Sequence, residues 1–296
     1  MKTLTVDIGG TNIQYAVINE NNELDYFYEY PTHASQGGRH IIKQLAEELR
    51  PHMGQVTSIG ISTANQVDSE TGVIIYANDN IPDYTGTPVK AILEEKLAVP
   101  VVVENDVNAA AIGERKFGDY EGLEDFIMMT YGTGIGGAIF MEGKLYKGSN
   151  HGAGEFGHMI THIDGVRCKC GQFGCYERYA STQAFVHQAE KLNPLYDNGK
   201  IIMKTIKEEK DSNLIAIYQS WIHEISQGLM TIIVSFQPSL ILLGGGIMEN
   251  NEIVIDIEKD IKKTLMSSFS HVNIQSASLG NKASLYGALH LARCLV

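Results

Sequence analysis

The sequence predicts an α/β protein. Short β-branched runs read as strands, segments with helical spacing of apolar residues fall between them, and two glycine-rich turns each separate a pair of strand-like runs. The first such pair covers residues 4–8 and 13–18, joined by Gly9-Gly10-Thr11-Asn12, so it is a hairpin and not a strand-to-helix turn. Residues 41–49 have helical spacing, 58–62 read as a buried strand, and 88–97 read as a helix with proline in its first turn. Residues 101–103 form a short apolar strand. It leads into Glu104-Asn105-Asp106, where a helix begins that runs through Ala109, Ala110 and Ala111 toward Gly118.

A second hairpin spans residues 126–140 around Gly132-Thr133-Gly134, and its layout echoes the first closely enough to indicate two related halves. Residues 204–210, rich in Lys and Glu, read as a solvated face. A long helix over 213–236 precedes the apolar strand 240–243, which ends in Gly244-Gly245-Gly246. Another helix, a strand over 272–275 and a terminal helix complete the chain, with Cys294 as a packing residue of the last helix.

With 296 residues and 44% hydrophobic content, the chain can bury a core for one or two domains. A net charge of -12 opposes a nucleic-acid footprint or an anionic membrane surface as partner, since both need clustered Lys and Arg. No uninterrupted apolar run approaches the roughly 18 residues of a membrane span, and the first strand follows Met1 without a charged and apolar leader. The expected location is therefore the cytoplasm.

Polar-glycine turns between strands suit nucleotide phosphates, because a glycine lets backbone N–H groups approach oxygens that a Cβ would block. A carboxylate beside such a turn, Asp7, can hold Mg²⁺ through water, and Thr11 and Thr133 can donate hydroxyl hydrogen bonds to phosphate. Either turn alone has the pattern of an ordinary hairpin; the pair is more specific. Gly132, Gly134 and Gly137 also match the spacing of a dinucleotide-binding turn. That fold needs a helix directly after the glycines, and residues 138–141 continue as strand, which excludes it.

Three of the four cysteines fall close together as Cys168, Cys170 and Cys175, with His158 just upstream. One imidazole and three thiolates make a closed tetrahedral zinc set, and a closed set is structural because no position is left for a catalytic water. Cys168 and Cys170 are poorly spaced for a disulfide to each other. Glu155 and Glu177 flank the set, so a metal would hold two carboxylates in one neighbourhood suited to sugar hydroxyls. His158 could then bind the metal through one ring nitrogen and meet a hydroxyl with the other. Asn105 and Asp106 lie where a strand ends and a helix starts, the edge at which open α/β sheets place ligands. Asn and Asp are also preferred helix caps, and on local sequence alone capping is the simpler reading.

These residues resemble the ROK family of sugar kinases and sugar-responsive repressors, within the actin-like ATPase superfamily. The resemblance rests on Asp7-Ile8-Gly9-Gly10-Thr11, Glu104-Asn105-Asp106, residues 131–137, Gly154-Glu155-Phe156-Gly157-His158, residues 168–177 and Leu243-Gly244-Gly245-Gly246. It implies two actin-like, ribonuclease H-like domains with a cleft between them. Residues 1–117 with 283–296 would form the small domain, and 118–282 the larger domain with the zinc motif. It further implies ATP and Mg²⁺ as cofactors alongside Zn²⁺, and a homodimer. Phosphates would be gripped by both hairpins, the adenosine side would face Gly244, Gly245 and Gly246, and a hexose would be bound by Asn105, Asp106, Glu155, His158 and Glu177. Asp106 would be the catalytic base. Family kinases often carry a Pro-Gly-Pro-like turn where this chain reads Ser62-Thr63-Ala64-Asn65. Polar Ser62, Thr63 and Asn65, followed by residues 77–82 with Asp79 among them, are thus expected to select among glucose, N-acetylmannosamine and β-glucosides, with fructose less favoured. A repressor of the family needs an N-terminal helix-turn-helix, whereas the first phosphate motif here starts within a few residues of Met1.

Overall fold

A computed structural model of the chain describes residues 2–78 and 80–296, so Asp79 of the expected selectivity loop lies outside the described residues. The chain divides into two units. The first comprises Met1–Leu123, Leu145–Ala153 and Asn281–Val296, and the second Glu124–Lys144 and Gly154–Gly280.

In chain order the first unit holds β1 (Lys2–Ile8), β2 (Asn12–Ile18), β3 (Leu24–Pro31), α1 (Gly38–Leu49), β4 (Val56–Thr63), β5 (Gln66–Asp68), β6 (Val73–Tyr76), α2 (Val89–Leu97), β7 (Val101–Asn105) and α3 (Asp106–Phe117). Next come β8 (Phe126–Tyr131) and β9 (Ile135–Met141) of the second unit, then β10 (Lys144–Tyr146), which starts at the last residue of that segment and runs into the first unit's Leu145–Ala153 stretch, and then the second unit's α4 (Glu177–Ala180), α5 (Thr182–Glu190), α6 (Gly199–Glu209), α7 (Ser212–Phe236), β11 (Leu240–Gly244), α8 (Asn251–Lys262) and β12 (Asn273–Ser276). The chain ends in α9 (Ala283–Arg293), which belongs to the first unit.

The echo between the two hairpins extends to whole sheets. One five-stranded sheet runs β3-β2-β1-β4-β7 and the other β10-β9-β8-β11-β12, each opening with antiparallel hairpin strands and closing with parallel ones. Parallel additions need crossover helices, which is why helical spacing alternates with strand in the sequence. Two boundaries differ from the sequence expectation. Pro88 is the N-cap of α2, not a residue of its first turn, and β5 with β6 form a separate two-stranded hairpin too short to register as a pattern. No helix among the described residues is long and apolar enough to cross a membrane.

Side-chain alternation along β1 explains how the first unit is layered. Leu4, Val6 and Ile8 join the core cluster that includes Ile41, Ile42 and Leu45 of α1 and Leu93 of α2. Thr3, Thr5 and Asp7 therefore face the opposite side, where α9 packs on β1 and β4. That second layer is built from small residues. A Cβ on Gly287 would overlap the carbonyl of Ala109, one on Gly113 would overlap that of Ala283, and one on Gly60 would overlap that of Ala288. Gly287→Ala is accordingly expected to destabilise the first unit by about 1–3 kcal/mol, the usual cost of overpacking. Gly54→Ala, whose Cβ would meet nothing within 4 Å, is the control. Thermal melts of both variants check this, and equal melting temperatures would contradict it.

Candidate active site and metal centre

At the end of β7 the backbone turns into α3, and Asn105 caps the helix as the simpler sequence reading expected. Its Oδ1 accepts from Val107 N at 3.0 Å and Asn108 N at 3.1 Å. Its Nδ2 donates to Asp106 Oδ1 at 2.8 Å and to the Asn65 carbonyl at 3.1 Å. Asp106 Oδ1 also accepts from Val107 N at 2.9 Å, so two N–H donors fix that carboxylate's orientation. Asn105 thus does two things: it starts the helix and it holds Asp106.

The selectivity loop is revised by the structure. Ser62 and Thr63 are both fully buried in β4. Ser62 donates to Asp7 Oδ1 at 2.6 Å, and Thr63 shares a hydrogen bond of 2.9 Å with the Tyr84 hydroxyl. The pleat of β4 sends them to opposite faces of the sheet, both of them covered. Asn65 is placed differently. Its φ is 80°, its carbonyl takes the Asn105 amide, and its Oδ1 accepts from Asn78 N at 3.4 Å.

The first phosphate turn follows β1. Gly9 N donates to the Asn12 carbonyl at 3.0 Å, Thr32 secures the turn through Gly9 O at 2.7 Å, and Gly10 and Thr11 are exposed. Burial pushes the Asp7 carboxyl above its ordinary range, opposed by hydrogen bonds from the hydroxyls of Ser62 and Ser284. A cation beside Asp7 would offset that burial, and hard carboxylate oxygen is the donor type Mg²⁺ takes.

In the second unit Gly132, Thr133 and Gly134 form the turn between β8 and β9, with Gly132 N donating to the Gly134 carbonyl at 3.0 Å. Strand β9 continues directly after them, so no dinucleotide-type helix follows. This turn, the glycine turn after β11 and the start of α5 converge. Gly245, at φ 99°, lies against the Tyr131 carbonyl so closely that a Cβ would overlap it. Thr182 Oγ1 donates to that same carbonyl at 3.0 Å, and Gln183 N donates to Gly132 O at 3.2 Å. Gly132 and Gly246 remain exposed beside a helix start, a setting suited to anions. The contribution of α5 was not read from the sequence; its Ser181 N-cap, with Oγ accepting from Ala184 N at 3.1 Å, is the cue that marks it.

The metal motif also lies in the second unit. The ligand atoms of His158, Cys168, Cys170 and Cys175 all lie within 4.8 Å of one another. Cys170 and Cys175 Sγ are 3.5 Å apart and Cys168 Sγ is 3.8 Å from His158 Nδ1, while tetrahedral zinc with its usual bond lengths spaces such donors by roughly 3.5–3.8 Å. The donor set therefore fits zinc. Burial pushes the thiols of Cys168 and Cys175 above their ordinary range, which a central dication would reverse. Cys168 and Cys170 are held by a tight turn, closed by Cys168 N to Gln172 O at 2.8 Å and Gly171 N to Cys168 O at 3.1 Å. His158 presents Nδ1 toward Cys168 and Nε2 toward Glu155, whose Oε2 lies 3.8 Å away. Glu177 completes this cluster. Its Oε1 is 4.0 Å from His158 Nδ1, and its other oxygen would lie 2.6 Å from a Cβ on Gly134. Glu155, His158, Glu177, the metal ligands and the second phosphate turn thus share one neighbourhood. Asp7, Asn105 and Asp106 are organised separately within the first unit.

The family model of the ROK family matches residues 3–294. The chain belongs to the ROK family. It is 33% identical to a glucokinase of Streptomyces coelicolor over 98% of this chain and 97% of that protein. It is 28% identical to an N-acetyl-D-glucosamine kinase of Vibrio cholerae over 96% and 97% of the two chains. A ROK family glucokinase from Streptomyces griseus, solved in complex with glucose and AMPPNP, superposes with a TM-score of 0.87 at 31% identity, covering 99% of this chain and 100% of that one. The two-domain actin-like ATPase fold of this family is the fold of the present chain.

Proposed function

We propose that this member of the ROK family is an ATP-dependent kinase that transfers the γ-phosphate to the primary, 6-hydroxyl of a hexose or hexose derivative. The observation that carries the reading is Asp106. It stands at the strand-to-helix junction with one carboxylate oxygen held by two N–H donors, in a chain that aligns along nearly its whole length with sugar kinases. In this mechanism the sugar is bound by Asn105, Asp106, Glu155, His158 and Glu177. The hydroxyl oxygen bonds to the γ-phosphorus as the bond to the bridging oxygen breaks, ADP leaves, and Asp106 accepts the hydroxyl proton. The turns at Gly9, Gly10, Thr11 and at Gly132, Thr133, Gly134 hold phosphate oxygens, and Gly244, Gly245 and Gly246 face the nucleoside. Mg²⁺ held beside Asp7 would neutralise phosphate charge, and Zn²⁺ in the His158, Cys168, Cys170, Cys175 set would fix the sugar-binding side chains. The same reading includes a homodimer assembled through the larger domain.

Sugar identity follows from the acceptors around the ring. Asn65 stands where many family kinases carry a Pro-Gly-Pro-like turn, and with Asn78, whose N–H it accepts, it supplies amide groups that can serve a hydroxyl or an acetamido substituent. The test is ADP release with Mg-ATP against glucose, N-acetylglucosamine, N-acetylmannosamine, a β-glucoside and fructose. Turnover is expected with at least one of the first four and weakest with fructose. Absence of sugar-dependent ADP release from all of them would remove the kinase reading and favour a sugar-responsive regulator.

A further inference from the structure

Glu104 has no role in the family reading beyond preceding Asn105 and Asp106, yet it is only 2% exposed and fully engaged. Its Oε1 accepts from the Asn105 N–H at 2.9 Å and from Asn108 Nδ2 at 3.1 Å. Its Oε2 pairs with Lys147 Nζ at 2.6 Å, and the same ammonium donates to Ser69 Oγ in the turn after β5. Lys147 sits on the stretch Leu145–Ala153 that belongs to the first unit. The stretch closes on itself through Ala153 N to Lys147 O at 3.2 Å, and it is tied a second time by His151 Nε2, 3.6 Å from Asp68 Oδ1.

The arrangement replaces a missing part of a standard helix start. In a capping box the third helical residue is Glu or Gln, and its side chain accepts the N–H of the cap residue. Here the cap is Asn105 and the third helical residue is Asn108, whose amide donates instead to Glu104 Oε1. The acceptor for the cap's N–H is therefore supplied from the strand side. One carboxylate oxygen gathers the backbone of Asn105 and the side chain of Asn108, on either side of Asp106. Rotation of that carboxylate would release both. Lys147 prevents rotation by holding the second oxygen, and it balances a charge that burial alone would disfavour. Glu104 is buried while Lys147 is 31% exposed, and an ion pair that reaches solvent on one side adds little net stability, which leaves orientation as what it contributes.

We propose that Glu104 and Lys147 are a positioning pair for the phosphoryl-transfer turn, fixing the Asn105 peptide and through it the Asp106 carboxylate. This rests on the kinase reading above. Neither residue touches substrate; their effect passes through Asn105, whose Nδ2 donates to Asp106 Oδ1.

The test compares Lys147→Met and Lys147→Arg with the wild type, using the sugar that the wild type turns over best. Circular dichroism and a thermal melt establish folding at the assay temperature. Lys147→Met is expected to lower kcat by about 10- to 100-fold, the scale of a small misplacement of a reacting group, with KM for sugar and ATP little changed. Lys147→Arg, which keeps the charge, is expected to recover most of kcat. A folded Lys147→Met with wild-type kcat overturns the proposal. So does a loss confined to thermal stability and KM. If Lys147→Met does not fold, Lys147→Met/Glu104→Gln removes both charges together; full kcat in that double variant overturns the proposal, and a folded but slow one supports it. A wild type inert toward every sugar sinks the kinase reading and this inference together, whereas an active wild type with an unimpaired Lys147→Met sinks this inference alone.

Discussion

Replacing Asp106 by Asn is expected to lower kcat by about 10²- to 10⁴-fold, the usual contribution of a positioned general base, while sugar binding and folding persist. The geometry lets an amide keep the contacts of Oδ1. Two N–H donors to the side chain, Asn105 Nδ2 at 2.8 Å and Val107 N at 2.9 Å, meet the same oxygen, Oδ1. An amide keeps its carbonyl on those two donors, so its NH₂ group falls where the second carboxylate oxygen stood. The site retains its shape but presents a donor where the reaction needs a proton acceptor. The loss corresponds to about 3–5 kcal/mol of transition-state stabilisation. Asp106→Ala is a different experiment, because it also strips both hydrogen bonds from the first turn of α3 and is expected to raise the KM for sugar as well. Steady-state kinetics of the two variants, with calorimetric sugar titrations, separate basicity from positioning. An Asp106→Asn enzyme within threefold of wild-type kcat would remove the base assignment.

Much of this site was legible because its chemistry is local. The two hairpins are visible as strand-glycine-strand patterns, and the strand-to-helix switch at Glu104-Asn105-Asp106 coincides with the end of a β-branched run. The metal ligands lie within one short segment. What escaped depends on side-chain direction and on partners far apart in sequence. Ser62 and Thr63 look like loop polar residues, yet they are the last residues of a buried strand and turn to opposite covered faces, toward Asp7 and Tyr84. The hydroxyl of Ser284 reaches Asp7 only because α9 returns from the chain terminus to pack on β1. Lys147 is indistinguishable in sequence from a solvated loop lysine, and it finds Glu104 across 43 residues. The start of α5 beside the second phosphate turn was missed because its N-cap serine carries no apolar pattern long enough to announce a helix. Pattern reading locates elements and short motifs; the contacts that tune their charged groups come from tertiary packing.

Removal of the metal site is expected to be the most damaging change to the second unit. Chelation, or Cys170→Ser, should lower the metal content from about one zinc per chain, drop the melting temperature sharply and abolish most sugar-dependent turnover. Cys170 is the informative ligand to replace. It is the more exposed of the three cysteines, while Cys168 and Cys175 are 3% and 0% exposed, so serine there perturbs packing least and the loss is chargeable to the metal. The magnitude follows from comparing two scales. Structural zinc contributes about 10–16 kcal/mol in small zinc-binding peptides, against a net stability of about 5–15 kcal/mol for a whole domain. Without the ion, burial keeps the Cys168 and Cys175 thiols protonated, Cys168 donates to Glu177 Oε1 at 3.1 Å, and no metal ties the four ligands together. The segment carrying His158 and Glu177 would then lose its fixed shape, and with it the side chains assigned to the sugar. Because the ligands must be deprotonated, zinc should also be lost progressively as pH falls, with the melting temperature falling alongside. Elemental analysis and thermal melts across pH check both expectations. Metal-free protein that melts at the same temperature as the untreated chain and turns over sugar at the same rate would show that the cysteine cluster holds no structural ion.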